Sequence, residues 1–218
     1  LAPTNIRDVV HKRLLKKDPG KARELETLFD QHRPDLCLYG YKCDQITGMD
    51  FLEVYPMLPA HVDLLMQITS SLRARSTRMK GDDHAIRGLL QLLGELFREL
   101  ELGEQPLGTL LTIDQIYDVQ HTALDADVQN TMARLASLDE LVSDPNVMRA
   151  AKAVALLELI QDHEPTTPEL VARCLYPRLG AGSEVEALRS ALEEAAIGDL
   201  LGQTEWGVLD FLVVDLAP

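Results

Sequence analysis

The stretch MDFLEVYPMLPAHVDLL, residues 49–65, constrains the fold more than any other part of the chain. Pro56 has no backbone N–H, and in a helix its ring would collide with the carbonyl four residues earlier; Pro59 repeats the obstacle. The residues before them, Tyr55 and Leu58, are pushed towards extended backbone. No continuous helix can run through this stretch, so the chain must approach the next helix as a bent, extended elbow. Pro59 can open that helix, because the first helical N–H has no intrahelical partner in any case. Tyr55, Met57 and Leu58 then form an apolar wedge between neighbouring helices. Tyr55, Pro56, Leu58 and Pro59 are a structural elbow by this reading, with no catalytic role.

Around the elbow the apolar residues recur at three and four. NIRDVVHKRLLKK predicts a helix from Asn5, with Ile6, Val9, Val10 and Leu14 on one stripe. Asp18-Pro19-Gly20 is expected to end it. Lys21 to His32 places Leu25, Leu28 and Phe29 on a second helical face, and Arg33 to Gly48 reads as loop. Residues 60–75 form a third helix. After the polar connection RSTRMKGDDHA comes the most regular pattern, AIRGLLQLLGELFRELEL, with Ile86, Leu89, Leu90, Leu93, Leu96, Phe97 and Leu100 in register. Gly103 to Gly108 is a turn, and TIDQIYDVQHTALDADVQNTMARLASLDELV supplies one or two further helices.

Asp144-Pro145-Asn146 marks the best boundary, dividing a helical region at 1–145 from a smaller one at 146–218. Beyond it, VMRAAKAVALLELIQ is a helix with few charges. Thr167 and Pro168 suit the N-cap and first position of another. GSEVEALRSALEEAA opens on a capping box, Ser183 with Glu186 three residues later. LLGQTEWGVLDFLVV, with a polar turn between apolar runs, reads as a β-hairpin. The expected fold is therefore mainly α: a helical bundle, then a small winged helix-turn-helix with a short hairpin.

Charge narrows the function. The chain carries 21 Lys and Arg against 35 Asp and Glu, a net charge of −14. Residues 1–110 hold 15 basic and 16 acidic side chains, whereas 111–218 hold 6 and 19. Duplex recognition needs basic and amide side chains facing phosphates and base edges. The helix that would read DNA in a winged helix instead carries Glu184, Glu186, Glu193 and Glu194 against Arg189. Direct nucleic-acid binding is disfavoured, and a protein partner is expected. No run approaches the ~18 apolar residues of a membrane span. The opening LAPTNIRDVVHKRLLKK has no apolar signal region, and the chain is expected to be a cytoplasmic piece of a longer protein.

The sequence lacks G-x-x-x-x-G-K-[ST], a G-x-G-x-x-G after a strand, H-E-x-x-H and G-x-S-x-G. No self-contained active site is expected. His32, Cys37 and Cys43 match no familiar zinc spacing, and the cysteines read as free thiols. Asp118, His121, Asp125 and Asp127 lie close enough to suggest a hard-metal site, although a solvated helix face is the simpler reading. In KGDDHAIRGLLQLL a Gly-Asp turn opens a helix and places Arg87 away from the leucine stripe. From there a guanidinium could reach a phosphate in a neighbouring domain.

Taken in order, NIRDVVHKRLLKK, MDFLEVYPMLPAHVDLL, MKGDDHAIRGLLQLL and LLTIDQIYDVQ, followed by the winged-helix pattern, resemble the large AAA+-type ATPases of BREX phage-resistance systems (the PglY/BrxC-like proteins). The resemblance spans about residues 4–215. It implies a helical lid over 1–145 and a winged helix over 146–218, with Arg87 as the sensor-2 arginine that reads the nucleotide. The P-loop, the Mg²⁺-binding acids and the core sheet of that family have no counterpart here. ATP and Mg²⁺ are thus implied for the parent protein and no cofactor for this chain. The implied partners are the ATPase core of the same polypeptide and other defence proteins. A free-standing acidic winged-helix DNA-binding regulator is the alternative.

Overall fold

The computed structural model describes residues 14–38, 45–75, 82–137, 144–162 and 165–193. Of 38, 73–75 and 82–89 it describes the backbone alone. The chain is mainly helical. Among the described residues the helices are, in order, α1 Pro19–Leu38, α2 Gly48–Val54, α3 Pro59–Arg75, α4 Asp82–Glu99, α5 Ile113–Gln120, α6 Ala126–Ala136, α7 Pro145–Leu157 and α8 Pro168–Cys174. A ninth, α9, covers 185–193. Single 3₁₀ turns follow α5, at His121–Ala123, and α7, at Glu158–Ile160. Among the described residues, β pairing is confined to one antiparallel bridge between Thr109 and Arg178.

Two expectations from the sequence need correction. The helix expected from Asn5 lies outside the described residues up to 13, and helical structure stops before Asp18, but the second helix starts at Pro19 and not at Lys21: the Asp18 carboxylate accepts from the Gly20 N–H at 2.8 Å, and Pro19 occupies the first position. Nor is 33–48 a loop throughout. α1 runs on to Leu38 through Pro34, forfeiting one backbone bond. Continuation buries Leu36 completely, and on the order of 2 kcal/mol of apolar burial offsets that loss. The short helix α2 also lies in a stretch assigned no element. It is held by a capping box in which Thr47 Oγ1 accepts from the Asp50 N–H at 3.1 Å and Asp50 accepts from the Thr47 N–H at 2.8 Å.

The apolar side chains form two clusters. In the smaller, Leu25, Phe29 and Leu36 of α1 meet Phe51 of α2, Leu58, Leu110, Tyr176 and Leu179. Phe29 and Phe51 stack with ring centroids 4.4 Å apart. The larger cluster takes Val62, Leu65, Ile68 and Leu72 of α3, Leu92, Leu93 and Leu96 of α4, and Ile113, Ile116 and Tyr117 of α5. It continues through Met132 and Leu135 of α6, Val147, Ala150 and Leu156 of α7, Leu170 and Val171 of α8, and Leu188 and Ala191 of α9.

The Asp144 boundary therefore lies at the N-cap of α7, where the carboxylate accepts from the Asn146 N–H at 2.8 Å. Side chains from before and after it share the larger cluster. The most extensive helix pairing among the described elements, α5 on α7, crosses it. α9 begins at 185, one residue later than a Ser183–Glu186 box would start it. The stretch 200–214, where the hairpin is expected, lies outside the described residues.

Candidate functional site

The elbow is the junction of the two clusters. α2 ends at Val54, the Tyr55–Pro56 peptide is cis, and α3 starts at Pro59. Met57 enters the larger cluster and Leu58 the smaller, each about 1% exposed. The Tyr55 ring meets Phe51 edge-on at 5.6 Å, and its hydroxyl accepts from the Gly108 N–H at 3.1 Å. Burial raises the proton affinity of the phenol, and the Gly108 bond works against that rise. The Pro56 carbonyl accepts from the Leu111 N–H at 2.9 Å.

The segment docked on the elbow is itself docked on the chain after α8. The Leu110 N–H donates to Pro177 O at 2.8 Å and the Leu179 N–H to Gly108 O at 2.9 Å. Gly108 has φ +91°, where a side chain is strained. A Cβ built there would also lie 2.7 Å from Leu28 Cδ2 of α1. The elbow, 108–111 and 177–179 are thus three non-helical segments joined to one another by backbone hydrogen bonds.

A second polar junction surrounds Arg149 on α7. Its Nε donates to Asp114 Oδ2 of α5 at 3.3 Å, Nη2 to Leu175 O at 2.8 Å, and Nη1 to Asn146 Oδ1 at 3.2 Å. Glu184, just before α9, lies 3.6 Å from Nη1. One turn along, Lys152 pairs with Asp118 of α5 at 2.7 Å and sits 6.0 Å from the Tyr117 ring centroid. Further out, Arg189 of α9 donates to Glu169 of α8 at 2.9 Å. The planar fork of Arg149 suits this task, since several acceptors from different elements can converge on one guanidinium. Sequence reading passed over Arg149. The signal available was two cations three residues apart on a helix otherwise poor in charge, opposite Asp114 and Asp118 four apart.

The candidate metal cluster is distributed by the fold. Asp118 faces Lys152, the His121 ring nitrogen contacts the Asp118 carbonyl at 3.0 Å, Asp125 stands at the N-cap position of α6 and Asp127 in its first turn. Among the described residues no group of three or more His, Cys, Asp or Glu side chains is placed to hold a metal ion. His32 packs its ring against Gly180, Cys37 is half-buried on α1, and Cys43 lies outside the described residues. Arg87 falls within α4, but its side chain is among those not described.

One further titratable group is buried. His61, in the first turn of α3, is 9% exposed. Burial, and then the positive charge of Arg173 on α8, push its imidazole down to about 4, so it is neutral at pH 7. Among the described residues no helix is long and apolar enough to cross a membrane.

Comparison with family models, with curated proteins and with solved structures finds no match to this chain.

Proposed function

We propose that the chain is a non-catalytic interaction module. In this reading it is the helical lid and winged-helix portion of a larger AAA+ ATPase of the BREX type, coupling nucleotide state to partner docking. The observation that carries the non-catalytic part is the use of charge: Arg149, Lys152 and Arg189 are engaged with Asp114, Asp118 and Glu169 across helix contacts. Such pairs hold helices in place. In this reading the binding of nucleotide and Mg²⁺ belongs to the parent's ATPase core. Support for the family comes from the sequence resemblance. The succession α7, α8, α9 also agrees with the first three helices of a winged helix.

Within this reading Arg87, near the start of α4, is the residue that senses nucleotide. Calorimetric titration of the 218-residue chain with ATP and Mg²⁺ is expected to show no binding at micromolar concentrations; micromolar affinity would overturn the division of labour. In the parent ATPase, Arg87→Ala is expected to lower turnover by roughly tenfold or more, as loss of a guanidinium facing a phosphate does. Unchanged turnover and nucleotide affinity would remove the sensor role. A salt-sensitive gel shift by the purified chain would point instead to an acidic winged-helix regulator of DNA.

A further inference from the structure

We infer that the described helices between 14 and 193 act as one rigid coupler, in which α7–α9 do not turn against α3–α5. Units that move against each other each keep a core of their own and meet across a thinner, more polar interface. Here the described side chains on the two sides of Asp144 share both clusters. Leu65, Leu93 and Leu96 share the larger cluster with Leu156, Leu170 and Leu188, and Leu96 and Leu188 are each 0% exposed. In the smaller cluster, Tyr176 and Leu179 from beyond the boundary close over Phe29 and Phe51.

Polar contacts tie the same two sides at separate places. Backbone bonds join Leu110 to Pro177 and Leu179 to Gly108. Arg149 joins α5, through Asp114, to the chain on either side of 176–183, through Leu175 O and Glu184. Rotating α7–α9 away from α3–α5 would open both clusters and break all of these contacts together. Close-packed interiors switch between discrete arrangements and do not bend continuously. A displacement imposed on α3 is therefore passed to α7–α9 as a movement of the whole packed unit. This rests on the proposed coupling role only for its purpose; the mechanical claim stands or falls alone.

Hydrogen exchange of the full 218-residue chain at increasing urea tests it. Amides at the centres of α3, α5, α7 and α8 are expected to share one opening equilibrium, within about tenfold, and one urea slope. Exchange in α7 and α8 roughly a hundredfold faster than in α3 and α5, with a shallower slope, overturns the inference. As a second measurement, Arg149→Met should lower the unfolding midpoint while keeping a single transition. Separate transitions for the two sides would also overturn it. An Arg87→Ala parent with normal turnover would remove the nucleotide role and leave the exchange result untouched.

Discussion

Arg149 on α7 and Asp114 on α5 meet at 3.3 Å, with side chains 27% and 14% exposed. The pair lies across the most extensive helix contact among the described elements. Its neighbour, Lys152 with Asp118, is a shorter contact at 2.7 Å, but Asp118 is 55% exposed. Distance alone would rank the second pair higher. Solvent screening and the number of additional acceptors reverse the order.

Arg149→Met is expected to destabilise the chain by about 2 kcal/mol, because it leaves a half-buried carboxylate and the Leu175 carbonyl without their donor. Lys152→Met should cost no more than about 0.5 kcal/mol. Urea denaturation of the two variants side by side measures the contrast. Equal losses would show that Asp114 is as well solvated as Asp118.

Tyr55→Phe keeps the ring against Phe51 and removes the acceptor of the Gly108 N–H. The expected loss is about 1 kcal/mol, the usual consequence of leaving one buried donor unmatched. Gly108→Ala should cost more, about 2 kcal/mol, since strain at φ +91° adds to the clash with Leu28. Thermal unfolding midpoints of the two variants rank them, and a neutral Gly108→Ala would mean that the segment docks differently.

His61 gives the stability a pH dependence of defined sign. Its folded-state pKa of about 4 lies below the ~6.5 of an unfolded histidine, so the unfolded chain takes up the proton first as pH falls. The contribution is fully present above about pH 6.5 and is lost towards pH 4, with a slope of up to ~1.4 kcal/mol per pH unit. His61→Met should lose less stability than the parent chain between pH 7 and pH 5 in urea titrations. Identical losses would assign the acid sensitivity to other groups.

Lys17 titrates at the other end of the scale. Its amine lies 5.8 Å from the Tyr55 ring centroid, and burial pushes it down to about 8 against the opposing pull of Glu53. Because the folded value lies below the ~10.4 of a free lysine, the unfolded chain holds more protons between those limits. This group's contribution to stability therefore rises with pH from about 8 to about 10.4. Carbon NMR of the lysine side chains should show one resonance titrating well below the others and absent from Lys17→Met. A normal titration for every lysine would place the amine in water.

Much of this architecture was legible locally. Pro59 opening α3, Thr167 and Pro168 opening α8, and the leucine periodicity of α4 depend on a residue's own dihedral limits or on one helical face, both readable in a short window. Helix α2 could have been found the same way, from Thr47 and Asp50 at capping-box spacing. The run of α1 through Pro34 could not, because burial of Leu36 against Phe51 and Leu58 decides it, and that depends on where α2 and the elbow end up.

By itself the sequence determined a mainly helical, acidic chain with a rigid apolar elbow at Tyr55–Pro59, since proline geometry, periodicity and charge need no partner to take effect. Tertiary structure alone decided which charges pair. It set Asp114 opposite Arg149 and Asp118 opposite Lys152 across 35 and 34 residues, and it assigned Met57 and Leu58 to different clusters. It also let Tyr176 and Leu179 complete a core begun by Phe29. Contacts between distant segments depend on how helix faces pack together, and a local pattern contains no record of the face it will meet.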